Sequence, residues 1–289
     1  MSSSGLPAMA SQSFLARIRA RGVALSLIAA LLAAAAFASF ARGAGSASIE
    51  EAALYPRDDR RMFGRADEER FPGAGVLMCY TDAGALERAA AGWLIGSRDL
   101  VVVNAHNFID RQGAPTRPVG DCFFRIAEQD LYFDPESLRL GPPKGTSALH
   151  ITDDWALLRL LWPAPDMIRP QPEPDASGVA TGAQMRVTMV SPAGHGNSRL
   201  AATLEPCEIH RIDAATETHV RRARHDCNDG YGGSGSGLFD EQDRLIAMHS
   251  ASLDMNARRP FDIEAHYGSA LLFEGDLLAA IRERLRAPR

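Results

Sequence analysis

From residue 71 onward the chain alternates short apolar runs, rich in β-branched and aromatic residues, with Gly, Pro and Asp clusters. Gly75–Tyr80, Ala91–Ile95, Leu100–Val103, Cys122–Ile126 and Trp155–Leu160 each predict a strand. No helical period separates them, so the pattern predicts a β-barrel or sandwich over residues 71–162. Pro163, Pro165, Pro170, Pro172 and Pro174 then crowd one stretch. Proline cannot donate to a sheet ladder, so residues 163–178 predict a linker. A second set of strands follows at Gln184–Val190, Ala201–Ile209, Val220–Arg224, Gly237–Phe239 and Leu245–Ser250, giving a second β-domain over 179–275. The spacing of Leu271–Leu285 is helical, with Asp276 near its start and arginines in its last turn, and predicts a C-terminal helix over 276–289.

The N-terminus differs in texture. Arg17, Arg19 and Arg21 precede an uncharged apolar run from Val23 to Phe40. A basic region followed by an apolar one reads as a secretory signal, residues 1–38, with Ala36-Phe37-Ala38 as a cleavage site and Ala44-Gly45-Ser46-Ala47 as a second. The alternative is an uncleaved membrane anchor, the one case in which a membrane enters the picture. Residues 39–70 are dense in charge and read as an irregular lead-in or propeptide.

Net charge is −5 over 289 residues, and the only basic cluster is Arg221-Arg222-Ala223-Arg224. That excludes the electrostatic footprint of a nucleic-acid-binding protein. Four cysteines, Cys79, Cys122, Cys207 and Cys227, all lie in the exported part. An even number in an oxidising compartment predicts two disulfides. Of the three possible pairings, chain order and domain membership favour Cys79–Cys122 and Cys207–Cys227. There is no Cys-x-x-Cys pair and the nearby histidines lack ligand spacing, so neither a metal nor another cofactor is expected.

Three stretches carry candidate chemistry. Between Gly232 and Gly237 four glycines interleave with Ser234 and Ser236. Taken alone this is a flexible linker; taken as a turn, it lets backbone N–H groups converge on one oxygen beside an outward-pointing hydroxyl. His106 ends an apolar strand in Asn104-Ala105-His106. Asp153-Asp154 opens the apolar run Trp155-Ala156-Leu157-Leu158, where a carboxylate can accept a hydrogen bond from histidine Nδ1. Serine is a weak nucleophile that needs a base, and the base needs an acceptor to fix its tautomer.

The order His, Asp, Ser, with two β-domains and a linker after the aspartate, resembles the chymotrypsin-like serine proteases. Asn104-Ala105-His106 resembles that family's Ala-Ala-His or Asn-Ala-His, Asp154-Trp155-Ala156-Leu157-Leu158 its Asp-Ile-Ala-Leu-Leu, and Gly232–Leu238 its Gly-Asp-Ser-Gly-Gly-Pro-Leu. The resemblance spans roughly residues 73–275. It implies two six-stranded antiparallel β-barrels, Ser234 as nucleophile, His106 as general base and then acid, and Asp154 as the orienting carboxylate. The N–H groups of Gly232 and Ser234 would form the oxyanion hole. Ser236 is the rival nucleophile; Asp153 is the rival carboxylate, turned away by strand alternation. Gly233 stands where the family has the aspartate that pairs with a freshly cut N-terminal amine, so that activation switch is not expected. His225-Asp226-Cys227 ahead of Ser234 is closer to the bacterial glutamyl-endopeptidase-like branch, with Gly237 in place of its proline. The branch also implies Cys207 as the partner of Cys227. With no cysteine next to His106, the first disulfide is the longer-range Cys79–Cys122.

Ile246–Ser252 resembles the branch's strand Ile-Gly-Ile-His-x-Gly-Gly, so Ser250, Ala251 and Ser252 would pair with the substrate backbone. His249 falls where glutamate-preferring members place a pocket histidine, while Asp229 falls where they have a threonine and would repel acidic side chains. The two residues point to opposite preferences. The resemblance implies a secreted or periplasmic serine endopeptidase acting on protein or peptide substrates. Its rival is an inactive relative that binds peptides or a partner, suggested by Gly233 and Gly237. An α/β-hydrolase esterase needs Gly-x-Ser-x-Gly between strand and helix with histidine last in chain order, but Gly232–Ser236 lacks the second glycine at its place and no helix pattern follows it.

Overall fold

A computed structural model describes residues 55–142, 148–176, 178–194, 202–228, 233–252 and 259–287. The expected signal segment, the first part of the lead-in, Asp229 and Gly232 lie outside the described residues. No helix among the described residues is long and apolar enough to cross a membrane.

Strand is the main regular structure of the described chain. In order it runs β1 (Arg61–Met62), α1 (Arg65–Arg70), β2 (Ala74–Tyr80), β3 (Leu86–Leu94), β4 (Leu100–Val103), β5 (Cys122–Ile126), β6 (Gln129–Tyr132), β7 (Arg139–Leu140) and β8 (Ala156–Arg159). Then follow β9 (Met185–Ser191), β10 (Thr203–Ile212), β11 (Arg222–His225), β12 (Gly237–Phe239), β13 (Leu245–Ser252), β14 (Gly268–Leu272) and α2 (Gly275–Arg286). Every strand pairing is antiparallel.

The first sheet has the order β6-β5-β2-β3-β4-β8-β7 and rolls until Phe133, just past β6, bridges Leu160, just past β8. The second closes completely: β10 pairs with both β11 and β9, so β10-β11-β14-β13-β12-β9 form a ring of six, with β1 added on the edge of β10. The double-barrel architecture holds, but only the second barrel is closed by a full ladder of six strands; the first is a rolled seven-stranded sheet drawn together by a single bridge.

Three apolar cores explain why the strands read as unbroken hydrophobic runs. On β4, Val101 and Val103 point into the core inside the first sheet, while Leu100 and Val102 join a core shared with the second. On β14, Ala270 and Leu272 face the inside of the second barrel and Leu271 faces the shared core. A strand buried on both faces loses the polar alternation of a half-exposed one. The shared core holds Trp93, Phe71, Phe239, Met248 and, from α2, Leu277 and Ile281. Trp93, with no exposed surface, lies 5.1 Å from Phe239 in edge-to-face contact.

Both disulfides form, as Cys79–Cys122 and Cys207–Cys227. Other expectations shift. The lead-in does not stay irregular: from Tyr55 it lies on the second barrel, with Arg61 and Met62 paired to Leu204 and Thr203, and then coils into α1. The helical spacing read from Leu271 conceals β14, and α2 begins only at Gly275. A short, fully buried strand has no period that separates it from a helical run. β6 and β7 were not expected: Gln129–Tyr132 is polar and mostly exposed, and Arg139–Leu140 is two residues long. The proline linker packs rather than floats, with Gln171 N–H on Leu94 O and Gly96 N–H on Gln171 O, both at 2.8 Å.

Candidate active site

β4 and β8 are antiparallel neighbours with Val103 opposite Ala156. The residues just beyond β4 and just before β8 therefore emerge side by side at one end of the first sheet. Asn104 leads into a 3-10 turn, Ala105–Asn107, that carries His106, and a second 3-10 turn, Ile151–Asp153, ends at Asp154. Asn104 Nδ2 donates to the Asp154 carbonyl at 3.0 Å and ties the two turns together.

The Asp154 carboxylate is almost wholly buried. It accepts the His106 backbone N–H on Oδ1 at 2.9 Å and His106 Nδ1–H on Oδ2 at 2.7 Å. Ser250 Oγ–H donates to the same Oδ2. A buried carboxylate needs such donors to replace water. With Nδ1 committed as donor, Nε2 is left as the acceptor, and it lies 3.0 Å from Ser234 Oγ. The imidazole keeps 34% of its side-chain surface exposed. Burial alone would depress the His106 pKa, but the charge of Asp154 and the hydrogen bond to it win, and the value is raised above 6.5. Serine, imidazole and carboxylate at these distances can pass a proton from hydroxyl to ring while the carboxylate stabilises the imidazolium.

Ser234 comes from the second barrel but is also held by the first. Ala91 N–H donates to Ser234 O at 2.8 Å, and Trp93 Nε1–H to Gly235 O at 2.9 Å, both from β3. Gly235 has φ 82° and a Cβ there would collide with the Ala91 carbonyl, so both its conformation and its surroundings exclude a side chain. A Cβ on Gly237 would enter the Trp93 indole, which accounts for glycine there. The rival serine is removed from the cleft: Ser236 is fully buried and its hydroxyl donates to Ser191 Oγ at 2.7 Å. Asp153 is also turned away, but by the 3-10 turn rather than by strand alternation, since β8 starts at Ala156.

β13 runs beside the serine turn. His249 N–H donates to Ser236 O at 2.7 Å and Gly235 N–H to His249 O at 2.9 Å. β12 pairs with β13 only as far as Met248, so Ser250 and Ala251 lie beyond the last β12 rung. The motif concerned the backbone of Ser250; its side chain has a separate partner, Asp154. His249 is buried, and its Nδ1 lies 3.0 Å from His225 Nε2. His225 Nδ1 accepts the Cys227 N–H at 3.2 Å, so its Nε2 is the donor and His249 Nδ1 the acceptor. Cys207 and Cys227 lie near Asp226, but they are bonded to each other and offer no thiolate to a metal. The sequence did not point to Ala91 and Trp93 as the clamp on the serine turn. A buried tryptophan, whose N–H needs an acceptor, was the available signal.

No family model matches the chain, and no curated protein matches it. Among solved structures, a Glu endopeptidase in complex with MPD superposes with TM-score 0.57 at 11% identity, covering 81% of this chain and 100% of that one. Rv3671c protease from M. tuberculosis, active form, gives TM-score 0.47 at 16% identity, covering 82% and 92%. The first likeness is one of fold: the chain adopts the double barrel of the chymotrypsin-like proteins.

Proposed function

Starting from a chymotrypsin-like fold, we propose that the chain is an exported serine endopeptidase that cleaves peptide bonds through an acyl-enzyme. Ser234 attacks the scissile carbonyl, and His106 takes its proton and returns it to the leaving amine. Asp154 holds the imidazole in the productive tautomer, with Ser250 completing the set of donors on its carboxylate. The N–H groups of Ser234 and Gly232 are assigned to the developing oxyanion, and the edge of β13 at Ser250 and Ala251, with Ser252, to the substrate backbone. Two disulfides fit an oxidising compartment. The observation that carries the reading is the hydrogen-bonded line from Asp154 through His106 to Ser234, assembled from both sheets. An inactive peptide-binding relative would have no need for a hydroxyl 3.0 Å from an imidazole whose other nitrogen is held by a buried carboxylate.

The test is labelling with a fluorophosphonate and mass mapping, with Ser234→Ala alongside, followed by peptide-library profiling. The expected result is an adduct on Ser234 and hydrolysis that drops at least 10³-fold, by order of magnitude, in the variant. A folded, disulfide-bonded protein that takes no adduct overturns the reading.

A further inference from the structure

The serine turn is held by β3 on its C-terminal side. On the other side Asn228, six residues before Ser234, has anchors of its own. Asn228 is 2% exposed and every polar group of its amide is engaged. Its Oδ1 accepts the Tyr55 N–H at 2.9 Å; its Nδ2 donates to Arg57 O at 2.7 Å and to Glu205 Oε1 at 2.8 Å. Its backbone N–H donates to Glu205 Oε2 at 2.6 Å. Two of those partners belong to the segment ahead of β1.

That segment is built to stay. Tyr55 is buried, with its ring edge-on to His266 at 5.2 Å. Arg60, whose side chain is fully buried, forms two 2.8 Å hydrogen bonds to Asp58. The Asp59 N–H reaches Glu205 Oε1 at 3.4 Å, and β1 then locks onto β10. Burial pushes the Glu205 carboxyl up to about 8, so the donors of Asn228 and Asp59 are what it has in place of water. Removing residues 55–60 would leave an amide oxygen, an N–H and a buried carboxyl short of partners at the last described position before the chain that leads to Ser234.

We infer that Tyr55–Arg60 is a retained strap, not part of a removable propeptide, and that through Asn228 it positions the chain entering Ser234 for catalysis. The inference rests on the endopeptidase reading for its catalytic consequence only. Asn228 is a positioning residue: it stands outside the Asp154–His106–Ser234 line. Loosening it should lower kcat and leave KM and the fold in place. Processing should leave a mature N-terminus ahead of Tyr55.

The experiment compares the mature chain with Asn228→Ala, with a chain beginning at Arg61, and with Tyr55→Phe, which keeps the ring and the Tyr55 N–H bond to Asn228 but loses the hydroxyl and its 3.4 Å bond to His225 O. The first readout is amide hydrogen exchange over residues 226–238 against residues 88–95, which needs no activity. Expected are faster exchange over 226–238 alone in Asn228→Ala and in the shortened chain, and a kcat at least tenfold lower with KM within twofold. Adding a synthetic peptide of residues 47–60 to the shortened chain should restore both, and Tyr55→Phe should match the parent. Unchanged exchange in Asn228→Ala overturns the inference, as does a mature N-terminus beyond Arg60. It is overturned equally if the shortened chain unfolds while Asn228→Ala keeps full exchange protection and turnover. A parent that takes no Ser234 label, with exchange responding as expected, overturns the endopeptidase reading and leaves the strap's positioning role supported.

Discussion

The two sheets hold their share of the site in different ways. The first delivers His106 and Asp154 from the ends of paired neighbours, β4 and β8, a short step from a continuous ladder. The second delivers Ser234 from a glycine turn that is bonded to its own β13 at Gly235 and Ser236 but also needs Ala91 and Trp93 on β3 of the first sheet. The disulfides repeat the contrast. Cys79 and Cys122 are register partners on β2 and β5, so that bond joins residues the sheet already pairs. Cys207–Cys227 ties β10 to a segment past the end of β11, seven residues before Ser234. Half of the site is therefore a product of local sheet pairing, and half depends on contacts across the molecule.

The largest break in this comparison should come from the rigid half. Asp154→Asn keeps the shape but leaves an amide where the carboxylate held Nδ1–H, and should lower kcat on the order of 10⁴-fold. It should also move the acid limb of the pH–rate profile. In the proposed mechanism catalysis needs neutral His106, so the parent should lose activity as pH falls through a value raised above 6.5, and the variant should lose it at a lower pH. The sign for stability is opposite: the protonated His106–Asp154 pair stabilises the fold below the unfolded value of 6.5, and that contribution fades as pH climbs through the raised one. Thermal melts of parent and Asp154→Asn from pH 5 to 8 check this.

Next comes the docked half. Gly235→Ala forces a side chain against the Ala91 carbonyl at a positive φ, and should displace Ser234 enough to lower kcat about 10²-fold or more. Disulfide removal sharpens the contrast. Replacing both Cys79 and Cys122 by serine opens the longer loop, 43 residues against 20, and chain entropy gives it the larger stability loss by under about 1 kcal/mol. Its kcat should nevertheless stay near the parent's, whereas the Cys207/Cys227 double variant should lose kcat as well as stability. Denaturant melts and initial rates on the same samples separate the two. The smallest effect is Trp93→Phe, which keeps an aromatic ring in the shared core but leaves Gly235 O without its donor. A loss of about 1–2 kcal/mol in stability and a few-fold fall in kcat are expected.

How much of this was legible follows the same divide. The strands at Leu100–Val103 and Cys122–Ile126 could be read to the residue, because runs buried on both faces leave a strong apolar signal. β6, β7 and β14 were not, being polar, very short, or continuous with a helical pattern. His106, Asp154 and Ser234 stood out because serine chemistry needs those residue types and each sat at the edge of an apolar run or in a glycine cluster. The role of Ser250 toward Asp154 had no such mark. A serine near the end of a strand gives no sign of what its hydroxyl meets, and only the approach of β13 to the turn before β8 brings it to Asp154.

The sequence by itself determined the β character of its short apolar runs, the break at the prolines, the three chemical groups and their order, because these depend on residue type and near neighbours. The tertiary structure alone decided which barrel closes, which serine faces the imidazole, that Trp93 clamps the turn of its distant neighbour, and that Tyr55–Arg60 is bound into the second barrel. Apart from the barrel closure, those outcomes rest on contacts between residues more than a hundred positions apart, such as 142 between Trp93 and Gly235 and 173 between Tyr55 and Asn228. No local pattern encodes a partner at that distance; it is fixed when two buried faces pack and each polar group left inside must find a mate.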